Sequence, residues 1–196
     1  MKKISYSLRI GIIGNNASIR EIFVDKLSRS AVMSELSDDN YEFLIVFKQI
    51  PIKIKIFFAE NLDDLISNFE QINKLDALII TLNLYEPESI NTINKHLMQE
   101  FIETFSFQGI SVLVGMDIVQ IFSSTPPKNF KMSRFQLEKT TKDLNLIYCF
   151  EIFNKNRDIN EIYNTILNDF ILRFQFSSPE LFETAKDYGK KLLEEL

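Results

Sequence analysis

Four short apolar runs, each followed by residues at helical spacing, constrain this chain more than any other feature. They are SLRIGIIG at 7–14, ALIITLNL at 77–84, GISVLVG at 109–115 and LIYCFEIF at 146–153. A continuous apolar run suits a strand buried on both faces, as in a parallel sheet covered by helices. The amphipathic stretches supply the helices. Ile19, Ile22, Phe23 and Leu27 stripe 18–30, and Leu62, Leu65, Ile66, Phe69 and Ile72 stripe the next. Ile90, Ile93, Leu97, Phe101 and Phe105 mark a long helix, and Phe135 and Leu144 a weaker one near 131–144, after a Pro126-Pro127 loop. Ile159, Ile162, Tyr163, Ile166, Phe170 and Ile171 mark the helix after the last strand.

One pair of runs breaks the alternation. YEFLIVFK at 41–48 and IKIKIFF at 52–58 are separated only by Gln49-Ile50-Pro51. So short a connection predicts an antiparallel hairpin. In the second run Ile52, Ile54 and Ile56 share one face and Lys53 and Lys55 the other. Residues 30–40 (SAVMSELSDDN) are expected to be a loop. The expected fold is therefore three-layer α/β: a six-stranded, mostly parallel sheet with one antiparallel strand and helices on both faces. Residues 1–176 form one domain. An extra C-terminal amphipathic helix occupies 177–196, with Ser178 able to cap it and Pro179 at its first position. Leu181, Ala185, Tyr188 and Leu192 share a face of that helix.

Composition excludes several roles. The net charge is −5, and no Lys/Arg cluster gives the basic face that nucleic acid or an anionic membrane requires. The single cysteine, Cys149, can form neither an internal disulfide nor a zinc site and reads as a small buried strand residue. The first apolar run is too brief for a signal peptide or a membrane span, and the tail KKLLEEL carries no prenylation signal. A cytoplasmic protein without direct membrane insertion is expected. His96 has no nucleophile pattern near it, and Asp38, Asp39, Asp63 and Asp64 match no calcium loop. In a sheet of this kind ligands sit at the carboxyl ends of the strands. Here that end comprises 14–21, 57–61, 115–119 and 151–156.

GIIGNNASIRE at 11–21 stands where a strand passes into a helix at that end. LDALIITLNLYEPESINTINKHLMQE resembles the fourth strand and following helix of small GTPases of the Ras, Rab and Arf type. ISVLVG resembles the strand before their guanine-recognition motif, and CFEIFNKNRDINEIYNTIL their final E-[ST]-S-A-K loop and last helix. The resemblance spans residues 8–174 and implies a P-loop GTPase-like (Rossmann-like) fold, with the hairpin as that family's own irregularity. It also implies where the nucleotide residues should fall: Gly14, Asn15, Asn16, Ala17, Ser18, Ile19, Arg20 and Glu21 for the phosphate loop, Asp117 for the base reader, and Asn154 and Lys155 for the last loop.

The chemistry at those positions is degraded. In G-x-x-x-x-G-K-[ST] backbone N–H groups approach the phosphates, the Lys neutralises charge and the hydroxyl holds magnesium. Here Gly14 fits the first glycine, but Ile19 replaces the second, Arg20 the Lys and Glu21 the hydroxyl. A β-branched residue disfavours positive φ, and guanidinium is a wide fork rather than a compact ammonium. The loop at 30–40 has no Thr for magnesium, with Ser34 or Ser37 as weak substitutes. The D-x-x-G that senses the terminal phosphate falls on Phe57, Phe58, Ala59 and Glu60, and the hydrolytic Gln near Asn61. N-K-x-D falls on Met116, Asp117, Ile118 and Val119, with Asp117 its Asp after a two-residue slip. The last loop keeps Lys155 but has Asn154 where Ala is usual. Loss of the hydroxyl, switch Thr and sensing Asp together argues against magnesium–GTP and its hydrolysis.

GNNASIREIFVDKL also resembles the start of a response-regulator receiver domain. That family's acidic pair would fall on Gly14 and Asn15, and its phospho-accepting Asp on Thr81. Either resemblance implies a catalytically silent domain. The expectation is a pseudo-GTPase with no catalytic residue, no metal and no cofactor, acting as an interaction or scaffold subunit. Its partners would be other proteins, such as a true small GTPase or an assembly subunit. Phe57, Phe58, Leu181, Leu192 and Leu193 are the candidate contacts. The alternative is a GTP- or GDP-binding switch with altered contacts, without magnesium, using Arg20, Asp117 and Lys155.

Overall fold

In the computed structural model β1 (Tyr6–Ile13) runs through the middle of a seven-stranded sheet. The structure describes residues 4–14, 17–37, 40–67, 74–86, 95–125, 131–155 and 157–195, with only the backbone described at 17–19, 37 and 40. The other elements, in chain order, are α1 (Ala17–Ser30), β2 (Met33–Ser37), β3 (Asn40–Phe47), β4 (Ile50–Ala59), α2 (Leu62–Ser67), β5 (Ala77–Asn83), α3 (Lys95–Phe105), β6 (Ile110–Met116), α4 (Ile118–Phe122), α5 (Arg134–Asp143), β7 (Tyr148–Ile152), α6 (Arg157–Ser177) and α7 (Pro179–Glu194). The strand order is β2-β3-β4-β1-β5-β6-β7. β1 pairs in parallel with β4 and β5, β5 with β6, and β6 with β7. β3 is antiparallel to both β4 and β2, so it alone runs against the rest.

The architecture is α/β with a mostly parallel sheet, but the expected six strands are seven. The added strand is β2, in the segment expected to be a loop. Its pairing with β3 puts Met33 opposite Leu44 and Leu36 opposite Tyr41. MSELS carries no burial alternation, because an edge strand is held by backbone pairing rather than by a packed face.

The hairpin turn also differs from expectation. Phe47 pairs with Ile50, so the connection is Lys48-Gln49 alone, and Ile50 and Pro51 belong to β4. Both turn residues have positive φ, 49° and 67°, as a two-residue hairpin turn of the primed type demands. Neither residue favours that region, which is why the turn is silent in sequence. Gln49→Gly should raise the unfolding free energy by about 1 kcal/mol. Chemical denaturation checks this, and no gain would mean that the turn carries no strain.

β5 and β6 are buried along nearly their whole length, because helices cover both faces of the sheet. One core lies between the sheet and α1, α6 and α7, built on Leu8, Ile10, Ile52, Ile54, Ile56, Phe23 and Ile166. The other lies beneath α2, α3 and α5, with Leu78, Ile80, Leu113, Leu65, Phe101 and Leu137. Tyr163 of α6 packs edge-on against Phe23 of α1 and donates its hydroxyl to the Phe23 carbonyl at 3.1 Å. Burial pushes the Tyr163 phenol well above its ordinary range. Lys53 and Lys55 flank Glu42 of β3 on the second face. The hydrogen bond from Lys53 holds the Glu42 carboxyl below its usual range.

α7 lies against its own sheet and against α6, with Phe182, Ala185 and Gly189 buried. Its inward face is therefore rotated from the expected one, and Leu181 is about half exposed, at 51%. Pro179 opens the helix as expected, but the Ser178 hydroxyl makes no cap hydrogen bond. Among the described residues between β6 and β7 there are two helices, α4 and α5, rather than one. The second has a capping box in which Ser133 and Gln136 bond each other's backbone N–H. Asp38, Asp39, Phe69, Ile72, Ile90 and Ile93 lie outside the described residues. Among the described residues no helix is long and apolar enough to cross a membrane.

Candidate functional site

The carboxyl ends of β1, β4, β6 and β7 bring Gly14, Arg20, Glu21, Phe57, Phe58, Asp117, Asn154 and Lys155 to one end of the sheet. Asn15 and Asn16 lie outside the described residues. Ala17, Ser18 and Ile19 form the first turn of α1, and their side chains are not described. Leu181, Leu192 and Leu193 are elsewhere, on α7.

The Gly14 N–H donates to the Ala59 carbonyl at 3.0 Å, extending the β1–β4 ladder by one residue. Thr81, where the receiver resemblance would place a phospho-accepting Asp, is buried and donates its hydroxyl to the Ile13 carbonyl at 2.8 Å. The half-buried Arg20 guanidinium lies over the Phe58 ring, 5.5 Å from its centroid. Phe58 in turn meets Tyr41 edge-to-face at 5.1 Å. The Arg20 Nε is buried and has no hydrogen-bond partner among the described residues. Strand alternation sends Phe57 and Phe58 to opposite faces. Each packs against the core on its own side, so neither is simply outward as a one-sided sheet would require.

Asp117 is fully buried between β6 and α4. One carboxylate oxygen accepts from the Gln120 N–H at 3.0 Å and caps α4. The other accepts from Lys131 Nζ at 2.7 Å. Lys131 also lies 4.8 Å from the centre of the Phe153 ring. A buried carboxylate needs such partners, because desolvation without them is costly. Lys131 gives no signal of this in sequence, since it stands 14 residues away from Asp117.

Asp158 was not singled out in sequence either. One of its oxygens accepts from the N–H groups of Phe153 and Asn154, both at 2.8 Å, and the other from Arg157 Nε at 2.8 Å. The available signal was its place in the first turn of a helix, where an acid favours the dipole. Burial opposes its ionisation. The Asn154 N–H, the Arg157 guanidinium and the Phe153 N–H outweigh burial and hold the carboxyl below its ordinary value of 3.8. A depressed folded value means that the stabilisation is complete above the unfolded value and is lost as pH falls through the folded one. Asp158→Asn should therefore cost roughly 2 kcal/mol near neutrality. The gap to the natural protein should shrink as the pH drops below the ordinary carboxylate range. Urea unfolding across that range checks it, and a gap independent of pH would remove the carboxylate from the account.

Beside this end a cleft of about 280 Å³ runs between α1 and the β7–α6 connection, with Glu21, Phe122 and Lys155 on its walls. Asp25 and Arg29 line it as an ion pair at 2.7 Å. Among the described residues no cluster of metal-ligating side chains occurs. No family model matches the chain, and no curated protein matches it.

Proposed function

We propose that this chain is a small-GTPase-like domain that has lost GTPase function and acts as a cytoplasmic interaction or scaffold subunit. The observation that carries this reading is Asp117. It is the acid best placed to read a base, and it is fully buried, with one oxygen bonded to Gln120 and the other to Lys131. Arg20, at the phosphate-loop Lys position, is stacked on Phe58 instead of standing free. Ser34 and Ser37, the weak substitutes for magnesium's switch ligand, belong to edge strand β2. The hairpin beside β1 and the two helices between β6 and β7 favour the small-GTPase likeness over the receiver one. Phe57, Phe58, Leu181, Leu192 and Leu193 remain the proposed partner contacts. Leu193, at 50% exposure, and Leu181 are the most open of them.

The second reading, a nucleotide switch with altered contacts, draws support from the Arg20 Nε, which has no hydrogen-bond partner among the described residues, and from the exposed Lys155. Calorimetric titration with GDP and GTP, with and without magnesium, separates the two after the preparation has been checked for co-purified nucleotide. No heat and no bound nucleotide is the expected result. Micromolar or tighter binding would overturn it and make Arg20, Asp117 and Lys155 the first residues to change.

A further inference from the structure

The two edges of the sheet are treated differently. At β7 the Arg134 guanidinium, anchored by Glu138 at 2.7 Å, donates to the Cys149 carbonyl at 3.2 Å. A charged side chain bonded to strand backbone is a common guard against edge pairing. At the other edge, no strand among the described residues pairs with the outer side of β2. Its Met33 and Leu36 are 61% and 53% exposed. An open edge carrying exposed apolar residues is a template for another strand.

We propose that β2 pairs antiparallel with β2 of a second copy about a two-fold axis, so that one sheet runs through both copies. This goes beyond the functional reading above and does not depend on it. Two features favour a second copy as the occupant. The first is closure. Pairing β2 with β7 of the next molecule would be head-to-tail and open-ended, and Arg134 obstructs that edge, whereas β2 with β2 is isologous and closes at two.

The second is register. Residues facing each other across such an axis share a face of the sheet, so the axis passes through a residue. An axis at Glu35 would set two carboxylates face to face, which is destabilising. Glu35 already stands opposite Glu42 within the sheet, where Lys53 and Lys55 supply the balancing charge. An axis at Ser34 instead places Met33 opposite Glu35 of the other copy and Leu36 opposite Val32, the residue just before the strand. Apolar side chains then meet and no like charges face each other.

Sedimentation of the full chain over a range of concentrations should show a reversible dimer. Leu36→Lys changes a side chain that is already exposed, so folding should survive, as circular dichroism checks, while the dimer weakens at least tenfold. Facing residues of an antiparallel pair lie about 4.5–5.5 Å apart, within disulfide reach. With Cys149→Ser removing the natural thiol, Ser34→Cys should oxidise to a linked dimer several-fold faster than Glu35→Cys. A monomer at every concentration would overturn the proposal and leave the edge to a strand of a different protein. A dimer indifferent to Leu36→Lys, or linked faster through position 35, would overturn it as well.

Discussion

Gly189→Ala should unseat the C-terminal helix and lower the unfolding free energy by about 3 kcal/mol. On an ordinary helix surface the same change would help, because Ala is favoured over Gly there by about 1 kcal/mol. The sign reverses here because a Cβ at Gly189 would lie 1.9 Å from the Gln49 carbonyl oxygen and 2.7 Å from its carbon. Those atoms are backbone, in a two-residue turn held at positive φ between β3 and β4. They cannot swing aside as a long side chain could. The helix must lift instead, withdrawing Phe182 and Ala185 from the core they share with β4. Urea unfolding followed by circular dichroism measures the loss, and protease cutting near Ser178 should accelerate with it. A variant as stable as the natural protein would mean that α7 is not seated on the hairpin as described.

Lys131→Ala should cost about 3 kcal/mol by leaving the Asp117 carboxylate buried and half-partnered. Lys131 itself is one-third exposed, at 33% of its side chain, so water moderates the penalty that a fully enclosed pair would show. Combining Lys131→Met with Asp117→Asn should recover part of the loss, because charge and countercharge leave together while Asn retains an oxygen for the Gln120 N–H. Thermal or urea unfolding of the two singles and the double provides the cycle. If Lys131→Ala were neutral, Asp117 would have to be satisfied by something other than this pair, and its availability to a ligand would reopen. The proposed function further expects that neither single variant alters the response to GDP.

The contact of Arg20 with Phe58 is the feature of the candidate site that sequence signals only in part. An Arg at the start of an amphipathic helix and a Phe pair at the end of β4 are visible in the sequence. That Arg20 and Phe58 find each other is not, because cation–ring contacts depend on where two elements end up. Asp158 and Lys131 were hidden for the same reason. Each acts on a partner brought to it by a loop, and loops carry no periodicity from which to read it.

The parallel core was legible from the runs alone. Ile79, Ile80, Val112, Leu113 and Val114 are apolar at successive positions, and only burial on both faces rewards that pattern. The alternation of Ile52, Ile54 and Ile56 with Lys53 and Lys55 likewise placed β4 beside a partner, with one face dry and the other charged. Tertiary structure alone decided β2, the turn at Lys48-Gln49, and the face of α7 that turns inward. In each case the deciding energy belongs to a contact with another element: the β3 edge for MSELS, the β3–β4 ladder that closes on Phe47 and Ile50 for the turn, and the Gln49 carbonyl against Gly189 for the helix. Local pattern specifies an element when the side chains of that element supply its stability. Where a neighbour's backbone supplies it, the residues themselves have nothing to declare.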